Sequence, residues 1–298
     1  MGGDMFHYLI YGLGISSEIR LYQLEQCTVD SEEVFIHYGA VTADIKKSID
    51  KGVSSSMSPN RAWFINDTGI FVISNGNEIM IQAAENATED DVASFVLGWC
   101  MAYLFQQRGM LAIHCSALEM HDRAVLIAGN SGAGKSTLTL SLLDAGYRYL
   151  VDDIAMIDMQ NDMMVPPAFP QQKVCRDVAE SMQDASLFYI NERKDKFAYI
   201  NEEQFCPDAK KLGAIFLIDK YEGDVVKVER LKGLAKWNGI MKNLFLRDAY
   251  QAFQFFPPEE RNRCLEIAGK VEVYAISRPQ GKDTVAEITD RIIELAKG

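Results

Sequence analysis

The sequence predicts an α/β protein with mixed sheets, in which a phosphate-loop core follows a β-rich N-terminal part. Three observations carry this. Residues 129–136, GNSGAGKS, satisfy G-x-x-x-x-G-K-[ST] between a strand-like run and a helix-like run. A second apolar run, YLVDDIAMI, places Asp152 only 17 positions after Lys135 and sets Asp153 beside it. Ahead of residue 87 the chain instead offers short β-branched and aromatic runs separated by turn residues.

The elements follow in order. LIYGLGISSEI, EVFIHYGAV, RAWFIND, GIFVISNG and NEIMIQAA read as strands, and Asn75-Gly76 is a hairpin signal. Residues 51–61, KGVSSSMSPNR, read as a linker or a long loop within this part. Thr88 then opens a capping-box pattern with Asp91 in the reciprocal place. The run VASFVLGWCMAYLFQQRG is apolar on nearly every face, which predicts a buried helix stopped by Gly109, with Trp99, Met101 and Phe105 as core. The division expected is a β-rich region over 1–86 and a phosphate-loop domain over 87–298. Within the latter, LAIHCSALEM and AVLIAG are strands, STLTLSLLDAG is a helix ending at Gly146, and YRYLVDDIAMID is a strand running parallel beside AVLIAG. LGAIFLID and VEVYAISR are further buried strands. The last helix places Val285, Ile288, Ile292 and Leu295 on one face.

Composition narrows the function. With 48% hydrophobic and 24% charged residues the chain is of ordinary globular type. A net charge of −12 argues against nucleic acid and anionic membranes as partners. The six cysteines lack any C-x-x-C pair, so neither a zinc site nor a disulfide framework is expected. The start fails as a signal peptide and no run of about 20 apolar residues occurs, so a cytoplasmic protein is expected.

The loop motif has a direct physical reading. Glycines let Gly129, Asn130, Ser131, Gly132, Ala133 and Gly134 turn their N–H groups toward one point, where the N-terminus of the following helix adds positive charge. Lys135 would neutralise phosphate oxygens, the Ser136 hydroxyl would ligand Mg2+, and Thr137 completes the nucleotide-binding stretch. Burying Asp152 and Asp153 side by side is costly without a cation, and alternation along a strand gives the two acids different jobs. One would hold metal with Ser136, and the other would take a proton from a hydroxyl nucleophile. His114, on the preceding strand, would orient or tune the base. A further cation is expected for the phosphate, from Lys173, Arg176, Lys194, Lys196 or Arg247.

The order His114-x-Ser116, GNSGAGKST, a short helix and then VDD resembles the HPr kinase/phosphorylase family, whose nucleotide fold is shared with phosphoenolpyruvate carboxykinases. GLGISSEI, QQRGMLAIHCSAL, PAFPQQKVCRDVAESM and VEVYAISRP extend the likeness, over essentially the whole chain, to a shorter branch found in lasso-peptide clusters. The resemblance implies a phosphate-loop core of the HPr kinase C-terminal and phosphoenolpyruvate carboxykinase type. It assigns Asp152 as general base, Asp153 as metal ligand and His114 as helper of the base; Lys135, from the loop motif itself, is also expected to be catalytic. The downstream Glu-Arg-Gly signature of true HPr kinases has no match here, which argues against HPr itself as substrate and against phosphorolysis.

The combined expectation is an ATP- and Mg2+-dependent serine kinase, passing the γ-phosphoryl group to a hydroxyl of a peptide or small protein. Two alternatives stay open: a kinase of free serine or another small metabolite, and a non-catalytic nucleotide-binding switch. Homo-oligomerisation is left open.

Overall fold

The computed structural model describes residues 5–175, 187–191 and 196–297. The chain divides into two compact units, Met1–Met110 and Leu111–Gly298.

The first unit is built on a seven-stranded sheet among the described residues. Its strands are β1 (Phe6–Ile10), β2 (Leu13–Ser17), β3 (Val34–Tyr38), β4 (Ser55–Ser58), β5 (Arg61–Asn66), β6 (Gly69–Ser74) and β7 (Glu78–Ala83), in the order β1-β2-β3-β7-β6-β5-β4. The Asn75-Gly76 signal is realised: both residues have positive φ, at 54° and 67°, between the paired strands β6 and β7. The stretch 51–61 is not a linker. It contains β4, which closes one edge of the sheet against β5.

Helix α1 (Ala43–Ile49) precedes β4, and α2 (Glu89–Phe95) passes through a π turn (Val96–Cys100) into α3 (Met101–Gln107). Thr88 caps α2: its Oγ accepts from the Asp91 N–H at 3.1 Å and donates to Asp91 Oδ2 at 2.7 Å. Met101 and Phe105 are fully buried, whereas Trp99 is only half-buried. The helix packs on the first sheet through aromatic rings, with Phe95 5.6 Å from Phe71, Tyr103 6.1 Å from Phe64 and Phe105 5.0 Å from Tyr11. That packing draws the helical stretch into the first unit, so the division falls at 110/111 rather than 86/87.

The second unit holds eight strands in its main sheet among the described residues. They are β8 (Leu111–Met120), β9 (Arg123–Gly129), β10 (Arg148–Val151), β11 (Ile154–Ile157), β12 (Met164–Val165), β16 (Lys210–Tyr221), β17 (Lys227–Arg230) and β18 (Glu272–Pro279). The order is β10-β8-β9-β16-β18-β17, with β11 on β8 and β12 on β16. A separate three-stranded sheet contains β13 (Gln171–Cys175), β14 (Leu187–Asn191) and β15 (Lys196–Ile200). The helices are α4 (Lys135–Asp144), α5 (Gly233–Lys242), α6 (Arg247–Ala252), α7 (Pro258–Lys270) and α8 (Val285–Leu295).

β9, β16 and β18 are parallel neighbours. β10 points the same way but does not lie beside β9, as the sequence suggested. The antiparallel β8 stands between them and bonds to both. The α/β class with mixed sheets is the one expected.

α4 and α8 cover the main sheet. Leu138 and Leu142 of α4, and Ile288 and Ile292 of α8, recur at four-residue spacing and so share one face of each helix. They join Phe216, Ile218, Tyr274 and Ile276 in one buried cluster. Thr289 Oγ1 donates to Ser141 Oγ at 2.9 Å and fixes the two helices in register. This core sets the position of the first turn of α4. Leu142→Ala should therefore cost about 2–5 kcal/mol in urea unfolding; a change near zero would show that the helix is not held by this cluster.

Candidate active site

The register of the main sheet decides what meets at its edge. Gly129, the last residue of β9, is paired with Ile218 of β16. Ala128 is paired with Cys115 of β8, so His114 falls beside Gly129. On the other side of β8, Val151 pairs with Ala117 and Ile154 with His114. Asp152 and Asp153 fill the interval between β10 and β11, opposite Ser116 and Cys115. Loop, histidine and acid pair therefore share one edge of one sheet.

The loop is shaped by two glycines in particular. Gly129 has φ 152°, and a Cβ there would strike the carbonyl oxygen of Ile218. Gly134 has φ 104° and leads straight into α4. The first N–H groups of a helix lack intrahelical partners, and those of α4 open onto the loop. Ser131, Gly132, Ser136 and Thr137 are exposed there, and Ala133 is buried beneath. Lys135 Nζ bends back over the loop, donating to the Gly129 carbonyl at 2.8 Å and more weakly to that of Asn130 at 3.4 Å.

The strand expected over YRYLVDDIAMID breaks at the acid pair. Asp153 has φ 95°, a backbone position that costs a non-glycine residue about 1–3 kcal/mol. The break is pinned by Cys115 N–H donating to the Asp153 carbonyl at 3.1 Å. It sends the two carboxylates to different partners. Ser116, almost fully buried, donates its Oγ–H to Asp152 Oδ1 at 3.1 Å. His114 Nδ1 lies 3.0 Å from the Asp153 carbonyl oxygen and 3.3 Å from Asp153 Oδ1. Two acceptors on one ring nitrogen require the hydrogen to sit on Nδ1. His114 thus contacts Asp153, the acid to which the resemblance gave metal binding.

His114 is itself held from behind. Its N–H donates to the Asn243 carbonyl at 2.9 Å, and Phe245 N–H donates to the Ala112 carbonyl, so residues 243–245 extend the sheet past the end of β9. The Phe245 ring is 6.2 Å from the imidazole. The Cys115 thiol is fully buried on β8, within the electrostatic influence of Lys135, Asp152 and Asp153. Burial pushes that thiol well above the ordinary cysteine range, so it is no nucleophile.

The other basic candidates fare differently. Arg247 is engaged: Nε donates to Asp248 Oδ1 and Nη1 to the Lys242 carbonyl, each at 2.9 Å. Lys173 and Lys196 lie on β13 and β15, with side chains outside the described residues; Arg176 and Lys194 lie outside them altogether. A cation that sequence reasoning missed does reach the loop. Arg278, near the end of β18, donates Nη1–H to the Ala133 carbonyl at 3.2 Å. Its signal in the sequence was only its place at the end of an apolar strand, visible once that strand is known to be parallel to β9.

Comparison with known proteins completes the picture. An HPr kinase/phosphorylase from Enterococcus faecalis is 32% identical over 123 residues, covering 36% of this chain and 39% of the relative. One from Pediococcus pentosaceus is 35% identical over 105 residues, covering 32% of this chain and 34% of the relative. Over these stretches the chain is similar to HPr kinase/phosphorylases. The chain thus matches 34–39% of the length of these two curated relatives. No family model matches it. The solved Hpr(Ser) kinase/phosphatase of Coxiella burnetii is 14% identical, with a TM-score of 0.31, over 62% of this chain and 95% of that one. Among the described residues, no helix is long and apolar enough to cross a membrane.

The loop geometry has a direct test. Gly129→Ala, whose new methyl would meet backbone, should lower unfolding free energy by roughly 1–3 kcal/mol. Gly132→Ala, with open space around the added carbon, should cost less. Chemical denaturation that ranks the two in the opposite order would contradict the account.

Proposed function

We propose that the protein is a phosphotransferase that moves the γ-phosphoryl group of ATP to a serine-type hydroxyl of a peptide or small protein. The observation that carries this reading is the shared sheet edge: a phosphate loop and two separately bonded carboxylates lie in adjacent rows around β8. A nucleotide binder without chemistry has no use for a carboxylate held ready at that edge. The curated relatives, which are named as kinases and phosphorylases, support the same reaction class.

In this reading the N–H groups of residues 129–137 and Lys135 hold the triphosphate. Asp152 is the base. Its Oδ1 is anchored by Ser116, so the carboxylate has a fixed orientation from which to accept the proton of the acceptor hydroxyl. As that proton leaves, the acceptor oxygen bonds to the γ-phosphorus, the bond to the β-γ bridging oxygen breaks, and ADP departs. Lys135 balances charge on the leaving phosphates.

Mg2+ fits the residues present. The Ser136 hydroxyl is exposed on the first turn of α4, and Asp153 is oriented by His114. Mg2+ keeps several waters and phosphate oxygens as ligands, so a hydroxyl and one carboxylate are enough protein groups for it. When bound, Mg2+ supplies positive charge to the β- and γ-phosphate oxygens. His114 serves the pair through Asp153, fixing the ligand.

Mass spectrometry of candidate peptides after incubation with ATP and Mg2+ should find an added phosphate. Asp152→Asn should retain ATP binding and lower the transfer rate by about 10²–10⁴-fold. Full activity in that variant would end the base assignment.

A further inference from the structure

Arg278 is placed by register rather than by any motif. Ile276 shares a row with Ile218, and Ile218 with Gly129, so Arg278 stands two positions past the row in which the loop begins. Its Nη1 donates to the Ala133 carbonyl and occupies the space a Gly134 side chain would need. Gly134 is thus required twice, for its φ and for room beside the guanidinium.

The electrostatics of this position are unfavourable as they stand. The guanidinium abuts the N-terminus of α4, a ten-residue helix whose positive end already carries Lys135. Among the described residues Arg278 forms no ion pair, and its Nε is buried without a hydrogen-bond partner. A half-buried cation packed against a positive helix end, with carbonyl oxygen for company, is what remains of an ion pair when its anion is a ligand. By contrast Arg247 has Asp248 as a counter-charge.

We propose that Arg278 is the second cation of the phosphate site, pinned to the loop by the Ala133 carbonyl and paired with the phosphates of the donor nucleotide. The inference rests on the nucleotide-phosphate reading given above. It assigns the cation that phosphoryl transfer calls for beyond Lys135 and the metal. Because Nη1 is tied to the loop, movement of the loop on the ligand carries the charge with it.

Calorimetric titration of the full chain with ATP and with adenosine tests this through Arg278→Gln, Arg278→Lys and Arg278→Ala. The glutamine keeps an N–H donor for the Ala133 carbonyl and loses the charge. It should weaken ATP binding by about ten- to hundredfold, as much as alanine does, and leave adenosine binding unchanged. The lysine should recover part of the loss. Wild-type affinity in the glutamine variant would reduce Arg278 to a prop for the loop and overturn the proposal, as would a lysine variant no better than glutamine. A wild-type chain that binds no ATP would instead overturn the nucleotide reading itself, and the proposal with it. Should alanine fail to fold, the glutamine and lysine variants decide the matter.

Discussion

The site depends on the two-sided hydrogen bonding of β8. This ten-residue strand pairs with β9 along one edge and with β10 and β11 along the other. Both faces of this strand are covered, so a slip by one residue would exchange the side chains packed on the two faces. Its buried positions therefore fix both neighbours at once. Gly129 arrives beside His114 on one side, and Asp152 and Asp153 arrive opposite Ser116 and Cys115 on the other. The phosphate loop and the acid pair are close because each is registered to the same strand, with α4 as the connection and β8 as the ruler.

What happens at the acid pair follows from that constraint. An unbroken strand would alternate the carboxylates across the sheet, one of them into the core. The turn at Asp153 avoids this at the cost of a strained φ, and the Cys115 N–H and the His114 ring hold it in place. The result is two carboxylates with separate anchors: a buried hydroxyl for Asp152 and an imidazole for Asp153. Two cations bond to the carbonyls of the loop, Lys135 from within it and Arg278 from the end of β18. In a chain of net charge −12, positive charge at this edge is local and structural rather than a general property of the surface.

Much of this was legible in the sequence, and the reasons for the rest are physical. The phosphate loop was readable because its glycines are demanded by backbone conformation, and the capping box at Thr88 because one side chain determines it. The closeness of the acids to the loop was readable from spacing. The insertion of β8 was not, because local pattern distinguishes a strand from a helix but not one neighbour from another. That error hid the pairing of His114 with Asp153 and of Ser116 with Asp152. Arg278 was invisible for the same reason: it lies 143 positions after Lys135 and reaches the loop only through the parallel alignment of β9, β16 and β18. The helix of residues 89–107 was recognised as buried, but its partners, Phe64 and Phe71, could be named only once the first sheet was known.

The central claim is that the break in the strand gives the two carboxylates different jobs. The most direct measurement is Mn2+ binding to the ATP-loaded protein, followed by electron paramagnetic resonance in Asp152→Asn and Asp153→Asn. The account predicts that Asp153→Asn weakens Mn2+ binding at least about tenfold while Asp152→Asn leaves it near the wild-type value. Equal losses in the two variants, or a loss confined to Asp152→Asn, would contradict it.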